Sequence, residues 1–189
     1  MKVIALLFCL GCVPSIGRAT ELNLATLTCA KYQNEVMAPT AANTGVDSIN
    51  TMMWLFGFSV GKSGAHTMFG DALAGFGFAV DAECKNNPSE SLLNALTVVK
   101  PDNKNPMDLQ GLQCATFAAR HLDLLKSDRE SADTIMMWLF GFAVAKSGSH
   151  VFDASGLSVF DAALMADCKK YPDRNLFDAL VTVKFPKSL

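Results

Sequence analysis

Charge is scarce in this chain: only 18% of its 189 residues are Asp, Glu, Lys or Arg. Half of the residues are hydrophobic, so the composition excludes a disordered or polyelectrolyte chain. No basic stripe is interleaved with aromatics, and the net charge is −2, which excludes the usual nucleic-acid binder. No apolar run reaches the length of a membrane span. Past residue 19 no two cysteines stand in Cys-x-x-Cys spacing, which argues against zinc and thioredoxin-type chemistry. Neither Ser63 nor Ser147 sits in a Gly-x-Ser-x-Gly elbow, and no cofactor is expected.

The N-terminus reads as a secretory signal peptide, residues 1–19. Lys2 supplies the positive start, Val3 to Gly11 the short apolar run, and Gly17 and Ala19 the small residues of a cut after Ala19. Lipidation at Cys12 is the rival reading, but Cys9 stands where a lipobox has an aliphatic residue. Cleavage would place the protein in the periplasm with four cysteines, Cys29, Cys84, Cys114 and Cys168, and an even count in an exported chain implies disulfides.

The chain repeats itself. Met52-Met53-Trp54-Leu55-Phe56-Gly57-Phe58 recurs as Met136-Met137-Trp138-Leu139-Phe140-Gly141-Phe142, and Lys62-Ser63-Gly64 and His66 recur as Lys146-Ser147-Gly148 and His150. Cys84-Lys85 and Pro88 match Cys168-Lys169 and Pro172 at the same offset of 84, while Leu24, Leu27 and Cys29 match Leu109, Leu112 and Cys114 at 85. Such self-similarity indicates two copies of one unit. The expected organisation is a first domain at 20–100, a linker at 101–106 rich in proline and polar residues, and a second domain at 107–189. Four cysteines allow three pairings, and a property of the unit must lie within each copy: Cys29 with Cys84, Cys114 with Cys168. Closing loops of 55 and 54 residues stabilises each unit by about 4 kcal/mol, which matters for domains this small.

The fold class expected is all-α, two tandem domains of about four helices with one disulfide each. The first helix is expected near Leu22–Gln33 and Leu109–Lys126. The second contains Met52 to Val60, apolar on nearly all sides and therefore central. It follows cap-type residues at Asp47-Ser48 and at Ser131 to Asp133, and ends at Gly64 and Gly148. Gly57 and Gly141 inside it cost about 1 kcal/mol each as helix residues, so close approach of a neighbouring helix is expected. Third helices near Asp71–Lys85 and Leu157–Lys170 end at their cysteines. Fourth helices, Glu90–Val99 and Arg174–Val183, follow Pro88 and Pro172, with Ser89 and Asp173 as caps.

Several patterns resemble sites and fail on context. Gly57 to Ser63 approaches a P-loop, but three residues separate its glycines, it follows a helix, and Gly61 becomes Ala145 in the second copy. Ser63 with His66, and Ser147 with His150, lack an orienting acid and read as loop residues. The methionine pairs with these histidines suggest copper, but adjacent helix residues point apart, and core packing is the better use. The repeated His66 and His150 are candidates for pH sensing.

A cysteine in the first helix, a Trp-Leu-Phe-Gly-Phe helix, then Cys84-Lys85-Asn86-Asn87-Pro88 and Cys168 to Pro172 before a Leu-x-x-Ala-Leu helix resemble the HdeA/HdeB acid-stress chaperone family. The likeness covers roughly 30–100 and 115–184, and departs from the family in being duplicated. It implies small periplasmic helical domains that acid loosens, exposing apolar surface that holds unfolding clients. On that reading Met53, Trp54, Phe56, Phe58, Met137, Trp138, Phe140 and Phe142 would contact clients, and the two copies would form an internal pseudo-dimer or the chain a homodimer. After cleavage at Ala19, strong acid would move the net charge from −4 to about +17, which favours expansion. The alternative is an exported interaction module, such as an immunity-type protein that binds one partner at neutral pH. A third reading, copper or small-ligand binding, predicts a bound metal or a pocket between the copies.

Overall fold

The computed structural model describes residues 21–37, 45–69, 73–99 and 106–183. The expected signal peptide with Cys9 and Cys12, residues 101–105 of the linker, and Asp71 lie outside them. The fold is all-α with two short strand pairs. In the first half come β1 (Leu22–Asn23), α1 (Cys29–Lys31, continued by a π-helical turn Tyr32–Val36), α2 (Gly45–Lys62), β2 (Thr67–Phe69), α3 (Leu73–Asn86) and α4 (Leu92–Val98). The second half follows the same order with β3 (Pro106–Asp108), α5 (Cys114–Ser127), α6 (Arg129–Ser147), β4 (Val151–Phe152), α7 (Gly156–Lys170) and α8 (Leu176–Thr182).

The first helix of each half starts later than its apolar pattern suggests. Asn23 and Asp108 accept from Ala25 N and Gln110 N through their carboxamide and carboxylate oxygens at 3.0 and 2.9 Å, so local turns hold the preceding segment out of a helix. The helices begin at Cys29 and Cys114, and their leading N–H groups need acceptors. Cys29 N and Ala30 N donate to Glu90 O and Pro88 O at 2.8 and 2.9 Å; Cys114 N and Ala115 N donate to Arg174 O and Pro172 O at the same distances. The exchange is mutual, because Leu92 N and Leu176 N, at the starts of α4 and α8, donate to Leu27 O and Leu112 O at 2.7 Å. The caps of α4 and α8 are Ser91 and Asn175, two residues beyond the expected Ser89 and Asp173. Asp128 caps α6, accepting from Ser131 N. Gly64 and Gly148 adopt φ of 80° and 82° after α2 and α6, the left-handed geometry that ends a helix and suits glycine.

Disulfides join Cys29 to Cys84 and Cys114 to Cys168. Each ties the start of the first helix of its half to the last turn of the third.

The halves meet through α2 and α6. A Cβ built on Gly57 would fall on the Trp138 carbonyl oxygen, and one on Gly141 would fall on that of Trp54. The backbones therefore touch at residues related by the 84-residue offset. Gly61 lies against Phe142 and Ala145, so contact advances along both helices together and they run in the same direction. This close approach is the neighbour that the helix-interior glycines called for. The strands cross between halves as well: β1 pairs antiparallel with β4, and β2 with β3. Leu24 N and Leu109 N extend these ladders to His150 O and His66 O, both at 2.9 Å. Buried side chains of both halves belong to one continuous core.

Candidate functional site

Of the eight residues expected to meet clients seven are buried, most of them at the seam between the halves, while Phe140 packs on Phe160 of its own half. Trp54, Phe56, Phe58, Trp138 and Phe142 are 3% exposed or less, Met137 and Phe140 are also buried, and Met53 is half-buried. Their rings form a chain across the seam. Trp54 stacks on Phe58 at 5.4 Å and meets Phe152 of the other half at 4.9 Å; Phe56 meets Trp138 edge-on at 6.4 Å; Trp138 stacks on Phe142 at 5.5 Å. Such pairs add about 0.5–1.5 kcal/mol beyond the area they bury. Lys62 and Lys146 lie over the Phe58 and Phe142 rings at 5.8 and 5.3 Å, where the stacks approach the solvent. Partial burial pushes the Lys146 ammonium below its ordinary value. The indole N–H groups of Trp54 and Trp138 find no acceptor among the described residues. A buried donor left unpaired costs about 1–3 kcal/mol, so the seam combines strong apolar packing with a polar debt on each side.

His66 and His150 are half-buried at the ends of the crossed strands, on opposite halves. The His66 ring meets Phe177 edge-on at 6.0 Å, and His150 Nδ1 is buried without a hydrogen bond. Ser63 and Ser147 donate back to Val60 O and Val144 O at 2.8 and 2.7 Å, so these hydroxyls terminate helices. Residues 57–62 are helical, without the loop that a phosphate cradle needs. Among the described residues no three or more His, Cys, Asp or Glu side chains converge, and no helix is long and apolar enough to cross a membrane.

One histidine escaped the sequence reading. His121 on α5 is 2% exposed, stacks on Phe117 at 5.8 Å, and has no hydrogen bond on either ring nitrogen. Its Nε2 lies 3.6 Å from Asp161 Oδ1 on α7, beyond hydrogen-bond length. The signal was present in the spacing: Cys114, Phe117 and His121 share one helical face, and the 85-residue offset sets His121 against Val36.

Carboxylates fasten the outer helices. Asp81 on α3 accepts from Gln33 Nε2 at 2.8 Å and pairs with Lys85. The Lys85 hydrogen bond, helped by that of Gln33, outweighs the opposing desolvation and holds its carboxyl below the usual range. The Ser131 hydroxyl, followed by its backbone N–H, does the same for Asp128. Arg174 pairs with Asp167 at 2.7 Å, both only about a quarter exposed.

Together these features define a class: a helical, disulfide-stapled protein whose two halves close on one aromatic seam. The HdeA/HdeB family model matches residues 95–178, from within α4 into α8 and including Cys114 and Cys168. No curated protein and no solved structure matches the chain.

Proposed function

We propose that the protein is a periplasmic chaperone of the acid-stress type, built as two HdeA-like units in tandem that form a pseudo-dimer within one chain and open in acid to hold unfolding clients. The observation that carries this reading is the seam: aromatic side chains large enough to bind clients are stored together behind two glycine contacts, with two unpaired indole donors favouring release into water. The family-model match over residues 95–178 supports the same reading.

Acid acts on this arrangement in three ways. Neutralising carboxylates removes the ties at Asp81, Asp128 and Asp167 and leaves the chain strongly cationic. The closed form also keeps the His121 ring buried with no hydrogen bond on either nitrogen, and opening returns it to water. Meanwhile the two disulfides limit how far each half expands. His66 and His150, whose carbonyls hold the crossed strands, serve as further pH sensors at the seam's rim.

The test is light scattering of an aggregating client with the oxidised protein across pH 2 to 7. Suppression at pH 2–3 that fades towards neutrality is expected. Failure to suppress aggregation in acid removes the chaperone reading, and tight capture of one partner at pH 7 favours the interaction module instead.

A further inference from the structure

We propose that the second half also carries a binding site for a medium-chain monocarboxylate. Beside α5, α6 and α8 a half-open cavity of about 230 Å³ is lined by Leu112, Leu124, Ile135, Leu139 and Leu176. It lies within the second half, not between the halves. A cavity of about 150 Å³ with Leu, Ile and Phe walls stays dry and takes benzene, so this one holds a short aliphatic chain. His121 contributes its ring to the wall while both of its nitrogens are buried away from solvent, leaving the interior apolar.

The head group follows from the rim. Arg120 lines the cavity and is exposed, and it takes part in none of the ion pairs found among the described residues. A guanidinium at the mouth of an apolar slot selects a carboxylate, which it can engage through two parallel hydrogen bonds. The first half lacks this combination, since Glu35 and Thr51 stand at the positions of Arg120 and Ile135. The site operates in the closed form, so it is independent of client holding.

Decanoate, decanol and decyltrimethylammonium are titrated into the intact oxidised protein at pH 7 by calorimetry, with methyl NMR to locate them. Decanoate is expected to bind one to one, shifting Leu112, Leu124 and Ile135, about fivefold tighter than decanol. Arg120→Glu should erase that preference. Leu124→Trp, which fills the slot, and Ile135→Thr, which makes its wall polar, should each weaken binding at least tenfold with the far-UV spectrum unchanged. No saturable binding, equal affinity for decanol, or undiminished binding in both cavity variants overturns the proposal. A gain in decanoate affinity on deleting residues 184–189 assigns the slot to the chain's own C-terminal segment and also overturns it.

Discussion

Replacing Gly57 with alanine tests the seam at its closest point. In an ordinary helix the change stabilises by about 1 kcal/mol. Here the new methyl would sit 2.8 Å from the Trp138 carbonyl carbon and 3.1 Å from Phe142 N, with the carbonyl oxygen nearer still. Those atoms are backbone of a buried helix and have no rotamer to change. Ordinary contact begins near 3.4 Å, so α2 and α6 must separate by more than half an ångström. That loosens the rings stacked on both sides. Overpacking of this kind costs about 1–3 kcal/mol, and two backbones in contact place Gly57→Ala at the upper end, about 3 kcal/mol. For a chain of this size the melting temperature should fall by about 6–12 °C. Gly75→Ala on α3 is the matched control, because nothing lies within 4 Å of its added methyl; it should be neutral or slightly stabilising. Thermal and urea unfolding of both variants decide the matter. Equal stability of Gly57→Ala and Gly75→Ala would refute the close approach. On the chaperone reading, the loosened variant should also hold clients at a less acidic pH.

Other expectations follow from single contacts. Ser59, 2% exposed, donates to Leu96 O at 3.1 Å, so Ser59→Ala, the residue found at position 143, should cost about 1 kcal/mol in urea unfolding. Asp81 has a depressed folded value, so its stabilisation is complete above the unfolded carboxylate range and disappears as pH falls through the folded value. Asp81→Asn should therefore be less stable than the parent at pH 7 and equal to it near pH 2, as read from unfolding curves across pH. His121→Val, which installs the residue found at position 36, removes a buried imidazole with no hydrogen bond on either nitrogen and should stabilise the closed form in urea unfolding followed by tryptophan fluorescence. Replacing Cys29 and Cys84 with serine should cost about 4 kcal/mol in the chain-entropy model, measured by denaturation without reductant.

Much of the helical framework was legible because its signals are local. Pro88 and Pro172, Gly64 and Gly148, and the apolar run through Trp54 and Trp138 each mark a boundary or a core helix by their own chemistry. The cysteine pairing was legible from the 84-residue correspondence. The crossed strands were not: β1 and β4 have two residues each, too few to display an alternating period. The first helices were begun too early because Leu24 and Leu27, like Leu109 and Leu112, stand three residues apart as on a helix face, whereas Asn23 turns the chain first. The aromatic residues near Gly57 and Gly141 were identified as important, yet only the structure places them against one another across the halves. A repeat read from sequence indicates what each unit contains, and whether the units separate or share a core depends on contacts distant in the chain.

Native-state hydrogen exchange, followed by mass spectrometry at increasing urea, tests the shared seam most directly. The amides of α2 and α6 should lose protection in one step at a single urea concentration, as befits helices packed backbone to backbone in a common core. If α6 and α7 keep full protection after α2 and α3 have exchanged, the halves are separate bodies, and the seam is not what holds this protein together.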